Sequence, residues 1–229
     1  MEQVRLIAFD LDGTLVDSAA DIARAVDLAL ESLGRRSHGV AQVKDWVGEG
    51  LTKLLKRALT GSLDGEPDPH LLADCRNAFR GFYKRGLCIE TRPYPGCTET
   101  LDVLARHYSL ACVTNKSAEY TEPLLERLGM RQRFDLVVSG DTLPALKPDP
   151  APLLHTARHF GMDPAVCCMV GDSRNDILAA KAAGFRAVAV SYGYRQGADL
   201  LALGAETELD SLEELPGWLR GLDGAAASR

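Results

Sequence analysis

The chain has 229 residues, enough for one sizeable domain or a core with a smaller insert, and its 46% hydrophobic and 25% charged content is that of an ordinary globular protein. A net charge of −6 without a basic run argues against nucleic acid as a partner. No stretch is apolar for long enough to span a bilayer and the N-terminus lacks a signal-peptide pattern, so no membrane association is expected.

The six cysteines, Cys75, Cys88, Cys97, Cys112, Cys167 and Cys168, show no CxxC or Cys/His metal spacing. They read as reduced, structural thiols of a cytoplasmic protein. In chain order, Val4, Leu6, Ile7, Ala8 and Phe9 form a short apolar run that predicts a buried strand, ending abruptly at Asp10-Leu11-Asp12-Gly13-Thr14. Carboxylates at i and i+2 of an extended backbone share a side, so Asp10 and Asp12 are expected to face one spot. Like charges placed together are costly unless a cation or a proton sits with them. A strand followed by an acidic turn would fit the bare DxDG equally well.

Apolar residues then recur at helical spacing: Ile22 to Leu33, Val40 to Val47, Leu51 to Leu59 and Leu71 to Phe82, with breaks at Gly34, Gly48-Glu49-Gly50 and 61–67. No strand pattern interrupts 18–85. After the turn chemistry of 92–96 the pattern becomes strand–helix alternation, which predicts a parallel α/β sheet. Strands are expected at 109–114, 136–139, 166–170 and, last, 187–191. Helices are expected at 98–107, 117–128, 151–160, 174–183, 198–203 and near 211–220. The tail 224–229 has little to bury and reads as unstructured. The expected architecture is a doubly wound α/β core of residues 1–16 and 93–229, with a helical cap, 17–92, inserted after the first strand, where its loops can close over Asp10.

Three more strand ends carry polar groups. Thr114-Asn115-Lys116 precedes a helix, where a hydroxyl and free N–H groups suit an anion, although a helix cap would look the same. Lys147, ahead of Pro148, offers an ammonium to a phosphate, or is a surface lysine in a turn. Asp172 sits at a strand tip with Asp176 one helical turn later, an oxygen set suited to Mg2+, while Asp172 alone would also cap a helix.

Taken together, the order Asp10–Thr14, Thr114, Lys147 and Gly171–Asp176 resembles the four-motif pattern of the haloacid dehalogenase-like phosphohydrolases across essentially the whole chain. The strings FDLDGTLVDS, WVGEG, VTNK, KPDP, VGDSRNDILAAKAAG and SYGY are most similar to the branch of that family that hydrolyses 2-phosphoglycolate. The resemblance implies a small phosphorylated metabolite as partner, Mg2+ as cofactor, Asp10 as nucleophile and metal ligand, and Asp12 as general acid and base that also meets the metal through its carbonyl. It further implies Thr114 and Lys147 on the phosphoryl oxygens, Asn115 as support, Asp172 in the metal shell and Asp176 beside or within it. Lys53 in the cap, which reads first as a solvated helix lysine, and Arg195 after Tyr194 are candidates for a substrate carboxylate, and Glu49 is expected to point away from the site. The alternatives are a phosphatase of another small metabolite, a phosphomutase that shields its aspartyl-phosphate from water, and a non-catalytic binder. Either a monomer or a small homo-oligomer fits.

Overall fold

The computed structural model describes residues 3–194 and 197–227. It begins with β1 (Leu6–Phe9), the short β2 (Val16–Asp17), and four helices, α1 (Ala19–Ser32), α2 (Gly39–Lys44), α3 (Leu51–Thr60) and α4 (Pro69–Gly86). Then come β3 (Arg92–Pro93), α5 (Cys97–Leu104), β4 (Ser109–Val113), α6 (Ala118–Arg127), β5 (Leu136–Val138) and α7 (Ala151–His159). The chain finishes with β6 (Cys167–Gly171), α8 (Arg174–Ala183), β7 (Arg186–Val190), α9 (Leu200–Leu203), β8 (Thr207–Leu209) and α10 (Leu215–Ala227).

Six strands form one parallel sheet in the order β5-β4-β1-β6-β7-β8. The period-two geometry of a strand sorts its side chains between two apolar layers. Ile7, Phe9, Cys112, Cys168, Val170 and Val188 join one layer. Their neighbours Leu6, Ala8, Ala111, Cys167, Met169 and Ala187 join the other, under α7 and α8. Both faces are covered, which is why these strands read as unbroken apolar runs. The six cysteines are free thiols, and burial pushes the thiol of Cys75 up to about 11 and those of Cys97 and Cys167 up to about 12.

Four features differ from the sequence expectation. The strand at 187–191 is not the last, because β8 adds to the sheet beyond it. Thr207-Glu208-Leu209 is short and mixed in polarity, and pairing with β7 makes it a strand. The chain enters and leaves the four-helix segment through an antiparallel pair, Val16 opposite Pro93 and Asp17 opposite Arg92, too short to leave a sequence pattern. The helix expected near 198–203 begins only at Leu200, capped by Asp199. Finally, α10 continues to Ala227 rather than stopping near 220, since alanine is the strongest helix former.

The four-helix segment is fastened to its own exit by a buried acid. Asp21 of α1 accepts hydrogen bonds from Thr91 N (2.9 Å), Thr91 Oγ1 (2.7 Å) and Glu90 N (3.0 Å), and pairs with Arg24 (2.8 Å). Burial raises the pKa of Asp21, but these donors outweigh it and leave the carboxyl below its ordinary value.

Candidate active site

The site lies at the carboxyl edge of the sheet, where adjacent parallel strands end side by side. Phe9 is in register with Val170, and Asp10 N donates to Val170 O at 3.0 Å, so the ladder holds up to the first residue of the loop. Asp10 therefore leaves β1 beside the end of β6, from which Asp172 leaves. Asp176 comes from the first turn of α8 in a capping box: its Oδ2 accepts from Ser173 N (3.0 Å) and Ser173 Oγ (2.6 Å). Asp10, Asp172 and Asp176 each offer an oxygen within 4.8 Å of the others, and all three residues are buried.

Asp172 is held on both oxygens, by Thr14 Oγ1 at 2.7 Å and by Tyr194 N at 2.7 Å. Its space depends on two glycines. A Cβ on Gly13, whose φ is +92°, would fall 2.3 Å from Asp172 Oδ2, and one on Gly193 would fall 2.2 Å from Asp172 Cβ.

Lys147 enters the cluster from the loop before α7, across a cis bond to Pro148. Its Nζ donates to Val113 O (2.5 Å) and lies 3.0 Å from Asp10 Oδ1 and 2.7 Å from Asp176 Oδ1. The approach to Asp176 is an ion pair and lacks hydrogen-bond geometry, so Oδ1 stays a buried acceptor without a hydrogen bond. Burial pushes Asp10 upward, Lys147 opposes the rise and Asp176 adds to it. Burial, then the charges of Asp10 and Asp176, push Asp172 upward, against Tyr194 N and Thr14. Lys147 is moved by burial in one direction and, more strongly, upward by Asp10 and Asp176.

One ammonium does not balance three buried carboxylates. An all-oxygen trio in which Asp10 and Asp172 have raised proton affinity and one Asp176 oxygen makes no hydrogen bond fits a hard divalent cation, which takes a few carboxylates and keeps some of its waters.

A cavity adjoins this cluster, lined by Asp10, Asp12, Thr114, Asn115 and Lys116 on one side and by α1, α3, α4 and the 47–50 loop on the other. Asp12 lies outside the acidic trio. Its Oδ1 accepts from Ser18 Oγ (2.5 Å) and Lys116 Nζ (3.1 Å), and its Oδ2 from the same ammonium (3.0 Å). Asn115 ties three segments together. Its Nδ2 reaches Gly48 O and Lys147 O, both at 2.9 Å, and its Oδ1 accepts from Lys147 N at 3.0 Å. Asn175 Nδ2 also reaches Gly48 O, at 3.2 Å.

Asp10, Asp172, Asp176 and Lys147 thus meet, with Asp12, Thr114 and Asn115 on the adjoining cavity. Lys53 does not join them. Its side chain is 59% exposed and ion-paired with Glu49, away from the cavity lining, the place of a solvated helix lysine rather than of a carboxylate ligand. Glu49 turns to Lys53 and to the buried Arg57, away from the cavity, as expected. Arg195 lies outside the described residues.

Sequence reasoning passed over Lys116, Ser18, Gly193 and Tyr194. Lys116 follows two residues already singled out, and that adjacency was its signal. Tyr194 OH accepts from Ser18 N at 2.8 Å and donates to Asp17 Oδ1 at 3.1 Å, closing the late SYGY turn over the first loop. Nothing local in the sequence marks that contact.

An acidic trio and a lysine at the carboxyl edge of a doubly wound sheet, beneath inserted helices, define the class. Residues 7–190 match the family described as haloacid dehalogenase-like hydrolase, and the chain belongs to it. The chain is 43% identical over 216 residues to a phosphoglycolate phosphatase of Nitrosococcus oceani, covering 94% of this chain and 96% of that one. Among solved structures it resembles a predicted phosphoglycolate phosphatase from Haemophilus somnus, with 32% identity, a TM-score of 0.87, and 95% and 98% of the two chains covered. It also resembles CbbY from Rhodobacter sphaeroides in complex with phosphate, with 26% identity, a TM-score of 0.78, and 93% and 96% covered.

Proposed function

We propose that the protein is a cytoplasmic, Mg2+-dependent phosphomonoester hydrolase that works through an aspartyl-phosphate on Asp10 and converts 2-phosphoglycolate to glycolate and phosphate. The observation that carries this reading is the buried meeting of Asp10 with Asp172, Asp176 and Lys147. The similarity to phosphoglycolate phosphatases over nearly the full chain supports the substrate.

Asp10, Asp172 and Asp176 would hold the cation, with the Asp12 carbonyl as the further ligand that the family resemblance implies. Bound there, the ion would offset the negative charge of nucleophile and phosphoryl group. An oxygen of Asp10 attacks phosphorus in line, forming the acyl-phosphate as the P–O bond to glycolate breaks. Asp12 gives a proton to the departing alkoxide oxygen, then takes one from the water that attacks the same phosphorus and frees Asp10. Ser18 Oγ and Lys116 Nζ hold the two oxygens of Asp12 in place beside the cavity. Thr114 Oγ1 and Lys147 Nζ donate to the equatorial oxygens as charge spreads over them. The four-helix segment 17–92 acts as a cap that excludes water from the cavity and selects the substrate.

The test is a screen of a few dozen phosphate monoesters, with 2-phosphoglycolate among them, followed by phosphate release with Mg2+ and with chelator. The expected result is the highest kcat/KM on 2-phosphoglycolate, abolished by chelation and restored by Mg2+. Preference for a sugar phosphate or nucleotide, or isomer formation faster than phosphate release, would overturn the reading.

A further inference from the structure

We propose that Lys116 recognises the carboxylate of the substrate, with Tyr83 as the residue that positions it. This inference rests on the 2-phosphoglycolate reading above. With the phosphoryl group at Asp10, the remaining atoms of a small ester must occupy the adjoining cavity. Ile22, Val47, Leu51, Leu54 and Phe79 make one wall of that cavity apolar. A carboxylate there loses its hydration and needs a cationic partner in return. Among the described residues lining the cavity, Lys116 is the one cation. Lys53, the earlier candidate, is spent on Glu49 at the surface.

The ammonium of Lys116 is built in. Its side chain is 7% exposed, its Nζ donates to Tyr83 OH at 2.7 Å, and it lies 4.9 Å from the centroid of the Tyr83 ring. Tyr83 is in turn fixed by stacking on Phe79 at 5.1 Å and by an edge contact with Tyr120 at 4.9 Å. Tyr83 belongs to α4, so the inserted helices aim a cation that the core strand end supplies. An ammonium has three donors on a flexible stem. Lys116 directs them to the two oxygens of Asp12 and to Tyr83, and one turned from Asp12 meets an incoming carboxylate while the rest keep it anchored.

The experiment compares 2-phosphoglycolate with ethyl phosphate, which has a methyl group in place of the carboxylate, on wild type, Lys116→Met, Lys116→Arg and Tyr83→Phe. Wild type should favour 2-phosphoglycolate. Lys116→Met should cut the ratio of the two kcat/KM values by about ten- to a hundredfold, the range of a charge-assisted hydrogen bond, and Lys116→Arg should restore part of it. Any loss through the Asp12 contact falls at least as heavily on ethyl phosphate, whose alkoxide is the more basic leaving group, and so does not lower the ratio. Tyr83→Phe, which keeps the ring packing, should lower the ratio a few-fold, mainly through KM for 2-phosphoglycolate. A wild-type preference that survives in folded Lys116→Met overturns the role of Lys116 and leaves the function reading standing. Should Lys116→Met fail to fold, an unchanged ratio in Tyr83→Phe overturns it instead. A wild type with no preference for 2-phosphoglycolate overturns both.

Discussion

Asn115 grips the backbone of Lys147 on both sides, donating to its carbonyl at 2.9 Å and accepting from its N–H at 3.0 Å. The lysine that faces Asp10 is therefore placed by an amide one residue after Thr114, and the same amide holds the Gly48 carbonyl of the inserted segment. Asn115→Ala leaves two buried backbone groups unpaired, a cost of about 1–3 kcal/mol for each group left so. The expected outcome is a lower Tm together with a loss of about a hundredfold in kcat/KM, since small displacements of a charged group cost that much. Steady-state kinetics beside thermal melts check this, and a Tm drop with unchanged kcat would make Asn115 purely structural.

The acidic trio links stability to both pH and metal. Asp10 and Asp172 have raised proton affinity in the folded protein, so between the ordinary carboxylate range and neutrality the folded state binds more protons than the unfolded one. Without metal, their contribution to stability is present at low pH and is lost as pH rises through their elevated values. A bound cation must displace those protons, so the rise in Tm on adding Mg2+ should grow from pH 6 to pH 8. At a hundredfold excess over Kd the gain is about 2.7 kcal/mol, or roughly 5–10 °C for a chain of this size. Calorimetric melts with and without Mg2+ measure it. Asp172→Asn should abolish the gain while leaving the metal-free protein no less stable.

Gly13 offers a separate handle on the same cluster. Gly13→Ala would put a methyl group 2.3 Å from Asp172 Oδ2 at a φ of +92° that alanine resists. Asp172 must then move. The variant should lose most of the Mg2+-dependent Tm gain and activity, while Gly34→Ala, where the added carbon meets nothing, should cost only backbone strain. Paired melts with and without Mg2+ decide it.

Asp21 predicts an opposite pH response. Its folded pKa is lowered, so its contribution to stability is present above the ordinary value of 3.8 and is lost as pH falls through the lower folded value. At neutral pH, Asp21→Asn should cost about 2 kcal/mol through its bonds to Thr91 and Glu90, about 4–8 °C in Tm. The gap between wild type and variant should narrow below about pH 4. A gap that stays constant with pH would assign the loss to shape rather than charge.

Those sites differ in how openly they stand in the sequence. Asp10, Thr114 and Asp172 each close an apolar run and Lys147 stands just before a proline turn, so residue type and position together single them out. Adjacent parallel strands then end side by side, and the acids meet without any further information. Lys116 was hidden because its partner Asp12 lies on another strand end and Tyr83 on an inserted helix, a meeting that no periodicity encodes. Lys53 shows the opposite case: a lysine near a flexible break has two readings, and only the packing of Glu49 against it and Arg57 selects the solvated one. Likewise Thr207–Leu209 becomes a strand through β7, and Val16 pairs with Pro93, and Asp17 with Arg92, through the geometry of the insertion.

The central claim is that Asp10 attacks phosphorus within a cation-holding notch, and single-turnover phosphate release from 2-phosphoglycolate by Asp10→Asn in Mg2+ tests it most directly. The account predicts a rate more than about a thousandfold below wild type, with a melting profile that shows a folded protein. Retention of more than about a hundredth of the wild-type rate, too small a loss for a missing nucleophile, would contradict it.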